Sequence, residues 1–131
     1  MNIKQASERT GLPAKTIRYY EEIGLVAPGR GSNGYRVFSA SDVHNLAFVG
    51  RARMLGFTVE DCRALLLLYQ DSARESAEAK KIAEAHLRQI EDRISKLREM
   101  ADTLGQLVAA CAGDQRPECP ILGSLAAMED R

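Results

Sequence analysis

The sequence has no net charge, since eighteen basic residues meet eighteen acidic ones, and it holds only two histidines and three cysteines in 131 residues. Its opening stretch, MNIKQASERT, lacks the apolar run of a secretory leader. No later stretch approaches the roughly 20 apolar residues needed to cross a bilayer. The expectation is a cytoplasmic protein with no membrane partner. So few cysteines in a reducing compartment exclude a disulfide framework, which leaves metal ligation or reactivity for any close pair. That pair is Cys111 and Cys119. An enzyme is poorly supported, because no carboxylate pair, histidine dyad or phosphate-cradling glycine loop stands where a catalytic pocket could form.

The zero total conceals an asymmetry. Residues 1–55 hold eight Lys and Arg against four Asp and Glu, whereas the remainder holds ten against fourteen, so +4 in one part balances −4 in the other. A basic part suits the phosphates of duplex DNA, and the acidic part serves something else. The length allows one small head with an appendage rather than two independent cores.

Within the basic part, the pattern predicts a helix from Ile3 to Arg9 closed by Gly11. A second, started by Pro13, runs through Glu22 and ends at Gly24. Two short helices joined by a glycine-containing turn form a helix-turn-helix, whose second helix presents Lys15, Thr16, Arg18 and Tyr19. The segment PGRGSNGYRVF, residues 28–38, combines turn chemistry at Asn33-Gly34 with β-prone flanks and predicts a small hairpin, a wing. Ser41 is a candidate cap for a helix carrying Val43, Leu46 and Val49. Gly56 breaks it, and Thr58 caps another helix through Tyr69.

From Ser76 onward, Ala83, Leu87, Ile90, Ile94, Leu97, Ala101, Leu104 and Val108 fall at alternating steps of four and three. This heptad seam, uninterrupted until Gly105, predicts a helix of about thirty residues and about 45 Å, too long for a small head to cover. The same helix of a second copy buries both seams at once, so a homodimer is expected. The following CAGDQRPECPILGSLAAM reads as a loop bracketed by thiols and then a short helix from about Pro120. The last residues, MEDR, are expected to fray.

IRYYEEIGL at 17–25, NGYR at 33–36 and RMLGF at 53–57 resemble the MerR family of metal-responsive regulators, and the likeness spans nearly the whole chain. CAGDQRPECPI, with seven residues between its thiols, further resembles the metal loop of the family's copper-responsive branch, the CueR and HmrR types. The resemblance implies a mainly α fold. Residues 1–70 would form a winged helix-turn-helix DNA-binding head, 75–109 a dimerisation helix pairing antiparallel with its mate, and 110–131 a metal loop with a short helix. It also implies double-stranded promoter DNA and RNA polymerase as partners, with the promoter spacer bent and untwisted when metal binds. In the wing, Asn33, Tyr35 and Arg36 resemble the family's DNA-contacting hairpin, and Tyr35 and Arg36 are favoured as contacts. Ser76 would lie near the metal loop of the other subunit, where zinc- and mercury-sensing relatives carry a cysteine.

Two thiolates with no neighbouring His or carboxylate cluster suit a soft ion content with few ligands, whereas zinc normally takes four. Cu(I), Ag(I) or Au(I) fit best as inducer. The complex is anionic, and Cys119-Pro120 at a helix start supplies free N–H groups to face it. The same pair could instead sense redox state or a divalent ion such as Zn(II). The remaining candidates read as structural. Cys62 is a lone core thiol, His44 and His86 are solitary, and Met54, Met100 and Met128 belong to apolar helical patterns.

Overall fold

A computed structural model describes residues 1–127; the closing MEDR, with Met128, lies outside the described residues. Among the described residues, six helices and one two-stranded sheet form two compact units, Met1–Ala83 and Glu84–Arg131. No described helix is long and apolar enough to cross a membrane.

In the first unit, α1 (Ile3–Thr10) starts at a capping box. The Asn2 side chain accepts the Gln5 N–H at 2.8 Å, and the Gln5 side chain accepts the Asn2 N–H at 2.9 Å. Gly11, at φ +75°, closes the helix in the left-handed region that a Cβ disfavours, and its N–H donates to the Ser7 carbonyl. The chain turns through Leu12 into α2 (Ala14–Glu22). Leu12 lies over Gly50, where an added Cβ would sit 3.2 Å from the leucine side chain, so the bare glycine lets its own helix approach the turn.

The helix α3 (Ala40–Met54) begins two residues earlier than the sequence suggested, capped by Ser39 rather than Ser41. The reason is Asp42. From Ser39 it occupies the third helical position, where its carboxylate accepts the Ser39 N–H at 2.8 Å while the Ser39 hydroxyl accepts the Asp42 N–H at 3.0 Å. Ser41 has His44 at that spacing and no such reciprocal partner. Thr58 caps α4 (Val59–Gln70) as expected. The strands β1 (Gly29–Arg30) and β2 (Arg36–Val37) pair antiparallel, with Asn33 and Gly34 in the connecting turn. Ile17, Phe38, Leu46, Val49 and Cys62 are fully buried at the centre of the core, each apolar side chain contributing about 1.5–3 kcal/mol. Ile82, near the start of α5, packs against this core.

The helix α5 (Ser76–Ala110) is 35 residues long and continues through Gly105, past the uninterrupted stretch of about thirty. One interior glycine costs only about 1 kcal/mol, and the helix formers Leu104, Gln106 and Leu107 carry the helix past it. In the second unit a loop joins α5 to α6 (Pro120–Ala127), which starts at the expected proline. Neither α5 nor α6 has a buried residue. Seam residues Leu87, Ile94, Leu97, Leu104 and Val108 are all about half exposed. Met54, expected to pack, is 87% exposed at the end of α3.

Candidate functional site

The candidate recognition face is set by two anchors. Ile17 and Tyr20 are buried, and at helical spacing this turns Lys15, Arg18 and Tyr19 outward, with Thr16 half-buried at the edge. Among the described residues Lys15 and Arg18 have no carboxylate partner, so both charges remain available to an outside anion. Lys15, Thr16, Tyr19 and Tyr20 line an open depression together with Arg53 and Val59. Arg53 was not foreseen as part of this face. Its Nη1 donates to the Phe57 carbonyl at 2.7 Å, which holds the guanidinium beside α2. The sequence signal was there in RMLGF, where the arginine stands four residues ahead of Phe57, but only the turn brings it to the recognition helix.

In the wing, Tyr35 is 73% exposed next to the turn. Arg36 is placed differently from Lys15 and Arg18: its Nε donates to Glu21 of α2, and Arg30 of β1 donates to the same carboxylate at 3.3 Å.

In the other unit the structure brings Cys111 and Cys119 together, with their Sγ atoms 3.4 Å apart and both side chains half-buried. Local capping explains why. Cys111 follows the last turn of α5, its N–H donating to the Leu107 carbonyl, and Cys119 stands immediately before Pro120 at the start of α6. Between them Gly113 adopts φ +67°, and Asp114 accepts the Arg116 N–H at 2.9 Å and pairs with its guanidinium at 2.7 Å, folding the loop back on itself. Arg116 holds the Asp114 carboxyl below the usual range. The Cys119 thiol is likewise lowered, first by the Leu122 N–H, then by Cys111 and the Ile121 N–H. These amides are the unpaired donors of a helix N-terminus. Among the described residues no cluster of three or more His, Cys, Asp or Glu could hold a metal, so the donor set here is two sulfurs. Two thiolates this close can share one soft ion.

The structural readings of the other candidates agree with their surroundings. Cys62 is fully buried, its thiol near the Phe57 carbonyl, and burial pushes its pKa up. The His44 ring bonds to the Tyr69 hydroxyl at 3.1 Å. Ser76, the first residue of α5, is exposed.

Comparison with known proteins yields two family matches, MerR HTH family regulatory protein over residues 1–68 and MerR, DNA binding over residues 43–107. The chain is 57% identical over 125 residues to the HTH-type transcriptional regulator HmrR of Rhizobium leguminosarum bv. viciae, covering 95% of this chain and 97% of the relative. It is 41% identical to CueR of Salmonella typhimurium, over 95% and 91% of the two chains. Among solved structures it resembles PbrR691 of Ralstonia metallidurans CH34 in complex with lead(II). There the TM-score is 0.84 at 28% identity, with 95% and 98% of the chains covered.

Proposed function

The chain belongs to the MerR family of HTH regulatory proteins, a family of DNA-binding transcriptional regulators and not of enzymes, and from that premise we propose a copper-responsive activator. It binds promoter DNA as a cytoplasmic homodimer through Lys15, Thr16, Arg18, Tyr19, Tyr35 and Arg36. It takes Cu(I), or Ag(I) or Au(I), on Cys111 and Cys119, and switches on RNA polymerase at the same promoter by distorting the DNA. The observation that carries this reading is the 3.4 Å approach of the two sulfurs.

Donor chemistry supports a monovalent ion. Two thiolates without a third side-chain ligand suit a soft, low-coordinate cation, and the resulting net charge of −1 is stabilised by the N–H groups at the start of α6 that already face Cys119. Ser76, which the family resemblance implies would lie near the loop of a second copy, is a hard hydroxyl donor and would add no third soft ligand for a divalent ion. The metal supplies a bond to each sulfur. Cys111 and Cys119 would hold the ion, and a bond to each sulfur would tie the end of α5 to the start of α6. The exposed seam of α5 supports the dimer, because a second copy covers it.

A competition titration of the reduced protein with Cu(I) and Zn(II), read alongside transcription from its own promoter, tests the assignment. Activation by Cu(I) and Ag(I) with a weak zinc response is expected, and a stronger zinc response overturns it. PbrR691 was solved with lead(II), so a divalent response is a real competitor. The sulfur separation also favours a second reading, in which an oxidant removes two protons and two electrons and a disulfide closes. That reading predicts a loss of two mass units under mild peroxide together with indifference to Cu(I).

A further inference from the structure

The wing has little of its own to hold it. Each strand is two residues long, and none of residues 29–37 is buried, so the hairpin lacks the apolar face that normally anchors one. Phe38, directly after β2, is buried and its carbonyl accepts from the Met1 amino group at 2.8 Å, but among the described residues the polar tie from the strands themselves to the recognition helix is one carboxylate. Glu21, in the last turn of α2, accepts from Arg36 Nε with one oxygen and from Arg30 Nη2, at 3.3 Å, with the other. Those arginines are directly opposed across the two strands. The Glu21 side chain is 18% exposed and that of Arg36 29%, so the pairing is partly shielded from water, where such bonds are firmer than on an open surface. Arg36 uses only its Nε for Glu21, and among the described residues its terminal nitrogens have no other partner.

We propose that Glu21 is a positioning residue for DNA binding: it locks both strands of the wing to the recognition helix, so that Tyr35 and Arg36 are held in fixed register with Lys15 and Arg18. This inference rests on the reading of the head as the DNA-binding surface. The geometry makes a prediction opposite in sign to simple electrostatics. An acidic group beside a phosphate-binding face weakens binding by repulsion, so its removal alone should tighten the complex and steepen the salt dependence. A positioning carboxylate does the reverse, because without it two long side chains must be ordered afresh whenever DNA binds.

The test uses the full chain and the promoter duplex that the wild-type protein protects in a footprint. Glu21→Gln, nearly isosteric, is expected to weaken binding by about fivefold to tenfold and to flatten the dependence of log K on log salt by about one counterion, while thermal unfolding stays close to wild type. In an Arg30→Ala, Arg36→Ala background the same substitution should have no effect. Equal or tighter binding by Glu21→Gln, or an undiminished loss in the double-arginine background, overturns the proposal. Absence of any footprint from the wild-type chain would instead remove the DNA-binding reading, so the two failures are distinguishable. Should Glu21→Gln unfold, Glu21→Asp replaces it. With a side chain one methylene too short to span both arginines, it is held to the same criteria.

Discussion

Cys62 and Cys119 are the same residue type in opposite settings. Cys62 is sealed in the head, where desolvation raises its pKa, and Cys119 is half-exposed at a helix N-terminus that lowers its own. The contrast extends to the units that hold them. Every buried residue of the described chain, from Ala6 to Leu66, belongs to the first unit, while the second presents a row of half-exposed leucines and isoleucines. The head encloses a core of its own in a single copy, with Met54, Leu55 and Leu67 left exposed outside it. The long helix α5 has no buried residue, and the two thiols beyond its end are half-buried rather than sealed.

The seam provides the strongest means of breaking this contrast. Leu97→Glu puts a charge where two helices would meet, and sedimentation should show dimer formation weakened by at least about a hundredfold, near 3 kcal/mol, with the head still folded by circular dichroism. Next come the thiols: Cys111→Ser or Cys119→Ser should abolish induction by Ag(I) in a transcription assay while leaving promoter affinity within about twofold. Loss of DNA binding in either variant would show that the units are not separable.

On the head side, Arg18→Ala should lower DNA affinity by about tenfold and flatten its salt dependence by about one counterion, with silver uptake unchanged. Ser39→Ala removes the hydroxyl that accepts the Asp42 N–H in the α3 capping box, leaving the backbone N–H bond to the Asp42 carboxylate, and should cost about 1 kcal/mol of head stability in thermal unfolding, without touching induction. The smallest effect sharpens the comparison of the thiols themselves. A thiol reagent should modify Cys119 promptly in the native protein, with a rate that rises with pH as the thiolate forms and levels off below the usual thiol range. Cys62 should react only on unfolding.

Much of this molecule was readable along the chain because the controlling interactions are local. Gly11, Thr58 and Pro120 punctuate helices through contacts within a few residues, and Asn33-Gly34 makes its turn in the same way. Where local signals competed, the reading slipped: Ser39 and Ser41 are both plausible caps, and the choice fell to the aspartate three positions on. Gly105 leaves the long helix intact, since a single glycine is too weak to end a helix whose neighbours favour it.

The order of residues by itself determined the winged helix-turn-helix head, the heptad seam and the candidate thiols, since periodicity and short-range capping are properties of neighbours. Only the tertiary structure decided that Arg53 stands beside Lys15 and Thr16, that Glu21 grips both strands of the wing, and that the two sulfurs lie within 3.4 Å. Those are meetings of side chains 8 to 38 positions apart. Side chains so far apart are brought together by packing, turns and caps acting in concert, and no periodicity encodes that.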